Sequence, residues 1–349
     1  MDDFEFSAWL DGLARLSSAQ RALAKARLEG SAVADNVVDA HPEPAPTIQR
    51  KRRRAVSGEA GALSEVETSK IASAGCPHCG AFAIAPWGWS HGLRRYRCAD
   101  CRRTFNAATR TPMARLRKRE GWMSQAQALI EGVSLAKAAE RCGVHPTTAF
   151  RWRHRFLTAP ALDKPMALKG IVEADETFIL ESFKGRRSDL PRPARRRGGS
   201  AKHPGLFFEN IPVLVARDRE GATIDAVLPE DTAACVAAGL KDAVTSTNQL
   251  VCDGGMAIRA FARRRRIPVH VVPSPGKPDI AAPDMHLNNV NAYHSRLKEW
   301  LRRFHGVATK NLPNYLGWRR AIEAWGDKLT PQNCLLGALG NGPYQHLTL

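Results

Sequence analysis

Ile171-Val172-Glu173-Ala174-Asp175-Glu176-Thr177-Phe178 sets three carboxylates into a run whose other residues favour a β-strand. Acids placed there lose hydration unless a cation lies against them. The chain around them is basic: 52 Lys and Arg against 34 Asp and Glu give a formal net charge of +18. A metal ion is the partner expected for the acids, and a polyanion the partner expected for the rest. Ribosomal and membrane-surface proteins share this balance, so charge alone does not choose among them.

Downstream of this strand the hydrophobic period stays sheet-like. Strands are expected at 171–178, 211–217 and 222–228, a helix at 232–247 and a fourth strand at 249–253. A short basic helix at 257–266, a strand within 267–273 and a long helix from Asn288 complete the order β-β-β-α-β-α-β-α. That order predicts an α/β fold, a mixed sheet with flanking helices, over 168–325. A C-terminal tail is expected at 326–349, and Asn314-Tyr315-Leu316-Gly317-Trp318 reads as a packing segment. Between the first two strands lies an arm holding Arg186, Arg187, Arg192, Arg195, Arg196 and Arg197, expected to touch DNA.

Upstream, residues 118–160 carry a helix-turn-helix pattern. Trp122, Ala126 and Ile130 open a helix, Ser134 caps a second, Gly143-Val144-His145 turns, and Pro146 starts a third. On the third helix Ala149, Trp152 and Phe156 form the packing face, and Thr148, Arg151 and Arg155 are placed to read bases and hold phosphates. Before it, at 71–110, Cys76-Pro-His-Cys79 and Cys98-Ala-Asp-Cys101 stand eighteen residues apart. Two such pairs at this spacing predict a zinc ribbon with Cys76, Cys79, Cys98 and Cys101 on one structural Zn²⁺. His78 is expected to be a surface residue, and Cys142, Cys235, Cys252 and Cys334 buried thiols. Residues 31–70 read as a Pro-stiffened, basic linker, and 1–30 as a helical segment. No run approaches the roughly 18 apolar residues of a membrane span. The acidic start, with no apolar stretch behind it, predicts no secretory signal and a cytoplasmic protein without disulfides.

The chemistry is expected where Asp175 meets Asp253, which ends a later strand before Gly254-Gly255. Asn291, Ser295, Lys298 and Arg302 share one face of the long helix, and Tyr293, Leu297, Trp300, Leu301 and Phe304 another that should pack on the sheet. Two carboxylates with a third oxygen donor can hold a pair of Mg²⁺ (or Mn²⁺) ions on a phosphodiester. Lys298 and Arg302 are suited to holding the phosphate. Glu299 is a reserve acid and Glu173 an auxiliary acid or an arginine's ion-pair partner. Glu176 should face away, and His294 should be a surface or packing residue.

Together these pieces resemble the DDE-type insertion-sequence transposases, more narrowly the ISXO-like group. The matching residues are the two Cys pairs, Glu173-Ala-Asp-Glu-Thr177, Cys252-Asp-Gly-Gly255, Val290-Asn-Ala-Tyr-His-Ser-Arg-Leu-Lys298, Gly306-Val-Ala-Thr-Lys310 and Asn314-Tyr-Leu-Gly-Trp318. The resemblance covers about 70 to 325. It implies an RNase H-like catalytic domain with Asp175, Asp253 and Asn291 as metal ligands and Lys298 as phosphate partner. It also implies DNA as substrate, both element terminal repeats and target, and a homo-multimer acting on the bacterial nucleoid. Asn291 departs from the commoner acid and binds Mg²⁺ more weakly. A non-catalytic DNA-binding descendant or a nuclease that cuts without joining are the alternatives.

Overall fold

The computed structural model describes residues 58–186, 188–193, 195, 199, 209–272 and 282–344. The helices expected before residue 30, the basic run at 51–54 and Arg187, Arg196 and Arg197 of the arm lie outside the described residues. One five-stranded mixed sheet carries the C-terminal half. Its strands are β4 (Ile171–Leu180), β5 (Asn210–Asp218), β6 (Thr223–Val227), β7 (Gln249–Cys252) and β8 (Val269–Val271), in the order β6-β5-β4-β7-β8. β4 runs antiparallel to β5 and parallel to β7, and β7 parallel to β8. The two parallel steps are crossed by helices α5 (Ala233–Leu240) and α6 (Met256–Arg265). This is the expected mixed sheet with flanking helices.

Alternation along β4 builds two cores at once. Val172 and Ala174 join Leu214, Ala216 and Leu250 on the face covered by α5 and α6. On the other face Val213, Val215 and Val251 meet Tyr293 and Leu297 of α7 (Asn288–Arg302). α5 is shorter than the helix expected at 232–247. Thr232 caps its start, and after Leu240 the chain turns through Thr245 and Asn248, where the Asn248 amide oxygen accepts from the Thr245 backbone.

α7 is held at its start by a charge on β4 and just past its end by one in the segment that follows β4. Glu173 is completely buried, and its carboxylate accepts from the Val290 backbone N–H at 2.8 Å and the Asn289 amide at 2.9 Å. Both donors sit in the first turn of α7, where backbone N–H groups have no partner within the helix. Arg219 pairs with the same carboxylate. At the far end Lys184 Nζ donates to the carbonyls of Phe304 and Gly306, at 3.1 and 2.9 Å. An anion at the N-terminus and a cation at the C-terminus both suit the helix dipole. Of Glu173's two expected roles, the ion pair is the one observed.

The N-terminal modules join the same core. Strands β1 (Ile84–Ser90), β2 (Leu93–Cys98) and β3 (Thr104–Phe105) form the ribbon, and α2 (Trp122–Ile130), α3 (Leu135–Arg141) and α4 (Pro146–Leu162) the helix-turn-helix. Residues 58–70, expected to be linker, instead belong to a helix, α1 (Gly58–Ala74), whose Leu63 and Val66 are buried. Its apolar positions are sparse, which is why it escapes a periodicity search. The C-terminal tail is corrected likewise. Residues Pro331–Ala338 form α9, capped by Thr330, with Cys334, Leu335 and Ala338 buried against the core shared with α2 and α4. Between lies α8 (Leu312–Trp325), which carries the packing segment. Gly317 lets α8 approach α4 closely, since a Cβ there would stand 2.4 Å from Ala161 Cα. One turn on, buried Arg320 donates to the carbonyls of Pro160, Ala161 and Asp163 at the end of α4 and pairs with Asp225 of β6 at 2.5 Å.

The two α7 clamps differ in burial, so they should differ in weight. Glu173→Ala strands Arg219 and the first turn of α7 and should lower unfolding free energy by about 3–5 kcal/mol. Lys184→Ala, at an exposed site, should cost less than about 1 kcal/mol. Urea denaturation of the two variants checks the ratio.

Candidate active site and DNA-facing elements

The register of β4 and β7 brings the two aspartates together. Ile171, Val172 and Glu173 pair with Gln249, Leu250 and Val251, and Asp253 follows Asp175 by the same offset. Both side chains therefore stand level, Asp175 midway along β4 and Asp253 just past the C-terminal end of the parallel strand β7. Gly254, at φ 95°, turns the chain away immediately, and the Gly255 N–H donates to Asp253 Oδ1 at 3.0 Å. The glycine turn predicted after Asp253 is thus present. Asp253 is exposed, while Asp175 is half-buried and accepts the Glu176 backbone N–H at 2.9 Å.

Electrostatics mark this edge as short of positive charge. Burial raises the Asp175 carboxyl to about 6, and the Asp253 charge adds to the effect, against smaller opposing contributions from the Glu176 N–H and Lys298. Alternation sends Glu176 to the other face, as expected. Yet its carboxylate still reaches the neighbourhood of Asp253: the position a Gly255 Cβ would take is 3.7 Å from Glu176 Oε2 and 3.4 Å from Asp253 Oδ1. Burial raises Glu176 to about 8, with Asp231, Asp175 and Asp253 contributing in that order, and its Oε1 is buried without a hydrogen-bond partner. Glu176 leaves the strand on the expected face, yet its carboxylate lies beside Asp253. Repelling carboxylates and an orphaned oxygen fit a site built to receive a divalent cation.

α7 supplies the rest. Lys298 is close enough to act electrostatically on both Asp175 and His294. His294 is buried with Nδ1 3.6 Å from Asp175 Oδ2, and burial and Lys298 lower it to about 4, so it stays neutral. Sequence reasoning missed this contact; the available signal was its position between Asn291 and Lys298 on one helix. Asn291 is exposed, its carbonyl accepts from Ser295 Oγ at 3.1 Å, and its amide has no hydrogen bond among the described residues. It lies about 20° from Lys298 around the helix axis. Arg302 points outward and pairs with Glu299, and both side chains are largely exposed.

The ribbon and helix-turn-helix place their residues plainly. The sulfurs of Cys76, Cys79, Cys98 and Cys101 all lie within 4.8 Å of one another, with 3.7 Å from Cys76 to Cys101 and 3.6 Å from Cys79 to Cys98. A tetrahedral ion with zinc–sulfur bonds of about 2.3 Å requires sulfurs ~3.8 Å apart, so this set fits zinc. Cys252 and Cys334 are buried thiols, whereas Cys142 and Cys235 are only half-buried. Ser134 caps α3 and Pro146 opens α4. On α4, Ala149, Trp152 and Phe156 are buried, Arg151 and Arg155 are exposed, and Thr148 is half-buried. No helix among the described residues is long and apolar enough to cross a membrane.

One family model and one relative agree on class. Residues 167–319 match the model of the ISXO2-like transposase domain, and 114–161 that of a homeodomain-like domain. A protein of transposable element ISH50 from Halobacterium salinarum, itself described as uncharacterized, is 31% identical over 254 residues, covering 69% of this chain and 82% of its own. Solved structures include a pre-cleavage Mos1 transpososome, 16% identical over 61% of this chain and 78% of that one at a TM-score of 0.20. The Mos1 strand transfer complex is 18% identical over 64% and 79%, also at 0.20. Superpositions this loose say nothing about individual residues here.

Glu176 offers a direct test of the charge imbalance. Its folded pKa is raised from 4.5 to about 8, so its ionisation opposes folding progressively across that interval. In metal-free buffer, Glu176→Gln should therefore gain stability over wild type as pH rises from 5 to 9, read as a widening gap in melting temperature. A pH-independent gap contradicts the placement.

Proposed function

We propose, since this chain belongs to the ISXO2-like transposase family, that it is a DNA transposase that cleaves a phosphodiester at the ends of an insertion sequence and joins the freed 3′-hydroxyl to target DNA. The observation that carries this reading is the level pairing of Asp175 and Asp253 on adjacent parallel strands, faced by Lys298 and the open stripe of α7. Asp175, Asp253 and the amide oxygen of Asn291 would hold Mg²⁺ or Mn²⁺. When bound, the cations supply charge neutralisation and activation of the attacking oxygen. Lys298 holds the phosphate as a fixed cation, and neutral His294 packs behind Asp175 and limits its rotation. Phosphoryl transfer asks chiefly for positioning and neutralised charge, which these groups provide.

Arg151, Arg155 and Thr148 of α4 would contact element ends, their arginines mainly through phosphates. Arg302 would do so only if DNA displaced Glu299. The ribbon would hold one structural zinc. Two DNA ends must be held together for joining, so the active form would be a homo-multimer assembled on chromosomal DNA in the cytoplasm.

Three measurements bear on this reading. Metal analysis should give one zinc per chain, and stripping it or replacing Cys98 by Ser should unfold the ribbon and abolish specific end binding. With Mg²⁺, a labelled element end and plasmid target, wild type should yield joined product. Asp175→Ala and Asp253→Ala should lose it by about 10³-fold or more, and Lys298→Ala by about 10–100-fold. Cleavage without joining by the wild-type protein would leave a nuclease instead.

A further inference from the structure

The ribbon exposes aromatic surface that its own fold has no use for. Tyr96 and Phe105 stack at 6.0 Å and are buried beside Cys76 and Cys98, which completes the small core. Trp87 and Trp89, in contrast, are 49% and 63% exposed, and Phe82 is 68% exposed. All three lie on or just before β1, the edge strand of the ribbon sheet, whose residues from 85 to 89 are open to solvent. Indole rings are seldom left in water without a partner.

The edge itself is blunted against protein strands. Pro86 lacks an N–H, and the register of β1 against β2 breaks between Pro86 and Trp89, with Gly88 at φ 87° inside the break. Such an edge does not extend into another sheet. A second copy of a chain with net charge +18 is also repelled. The neighbours of the indoles are cationic. The Arg97 guanidinium lies 4.6 Å from the centroid of the Trp87 ring, Trp89 pairs across the strands with Arg94, and Arg95 is tied to Thr104 Oγ1 at 3.0 Å. Among the described residues no carboxylate forms an ion pair with Arg95 or Arg97. Open aromatic faces interleaved with unpaired arginines match the bases and phosphates of a single strand, whereas a duplex keeps its base faces stacked inside.

The platform is also fixed in place. Arg119, in the turn that opens the helix-turn-helix, donates to the carbonyls of Ser90 and His91 at the tip of the hairpin. We propose that the β1–β2 hairpin is a stacking site for unpaired DNA bases adjoining a duplex seated on α4, with Trp87 and Trp89 taking the bases and Arg95 and Arg97 the backbone. The proposal rests on the transposase reading only in taking that duplex to be an element end.

Fluorescence polarisation with the full-length, zinc-loaded protein tests it, using one duplex sequence either blunt or bearing a four-nucleotide single-stranded tail. Wild type should bind the tailed form about 10-fold more tightly, in line with the stacking of one or two bases, and tail binding should quench indole fluorescence. The Trp87→Ala, Trp89→Ala double variant should lose the tail preference while keeping blunt-duplex affinity and zinc content. Trp87→Tyr with Trp89→Tyr should keep most of the preference. Equal wild-type affinity for both forms, without quenching, overturns the proposal. Equal weakening of both forms in the alanine variant means a duplex contact instead, and a changed sedimentation coefficient without DNA means a protein interface. Either result also overturns it. Joining activity on blunt ends fails only if the transposase reading fails, so the two outcomes are separable.

Discussion

A carboxylate with no exposed surface, placed against the first turn of a helix that crosses the sheet, governs where everything else in the catalytic half can stand. Glu173 meets Val290 N–H, Asn289 and Arg219 at once. Removing any one of these would leave buried charge uncompensated, so the strand and helix can adopt only one register relative to each other. Asp175 lies two residues along the same face of the strand. Its distance from His294 and Lys298 is therefore fixed by the ion pair beneath it rather than by contacts of its own. The structural holding falls to Glu173, and Asp175 is left without an ion pair to an arginine or lysine among the described residues.

As the third ligand proposed for the site, Asn291 is neutral where an acid would bind a cation more strongly. The surroundings of the site suggest a different account. Glu176 already adds a third carboxylate to the edge where Asp175 and Asp253 meet, and both Asp175 and Glu176 are displaced upward in pKa by burial and by their acidic neighbours. A fourth acid on α7 would deepen a repulsion that the bare protein must bear whenever no cation is present. An amide keeps an oxygen donor there without that charge.

How much of this was legible depends on what each residue's environment requires. The sheet order, the paired cysteines, the glycine turn after Asp253 and the packing stripe of α7 follow from spacing alone, because period and turn chemistry are local properties. The closeness of the Glu176 carboxylate to Asp253 was not legible, since strand alternation says which face a Cβ leaves from, not how far a three-carbon side chain reaches. His294 was missed because a buried histidine and an exposed one look alike in a sequence. α1 and α9 were taken for linker and tail because each is buried by other elements, α1 by β2, α2 and α9, and α9 by α1, α2 and α4, and no short window of sequence contains both sides of such a contact.

α9 packs on α2 and α4, and Arg320 ties the end of α4 to the sheet. The helices that would touch DNA are therefore finished by residues much later in the chain. A chain cut before α9 would not be a trimmed protein that still grips DNA and blocks its intact relatives. It would hold a helix-turn-helix with its rear face open to water.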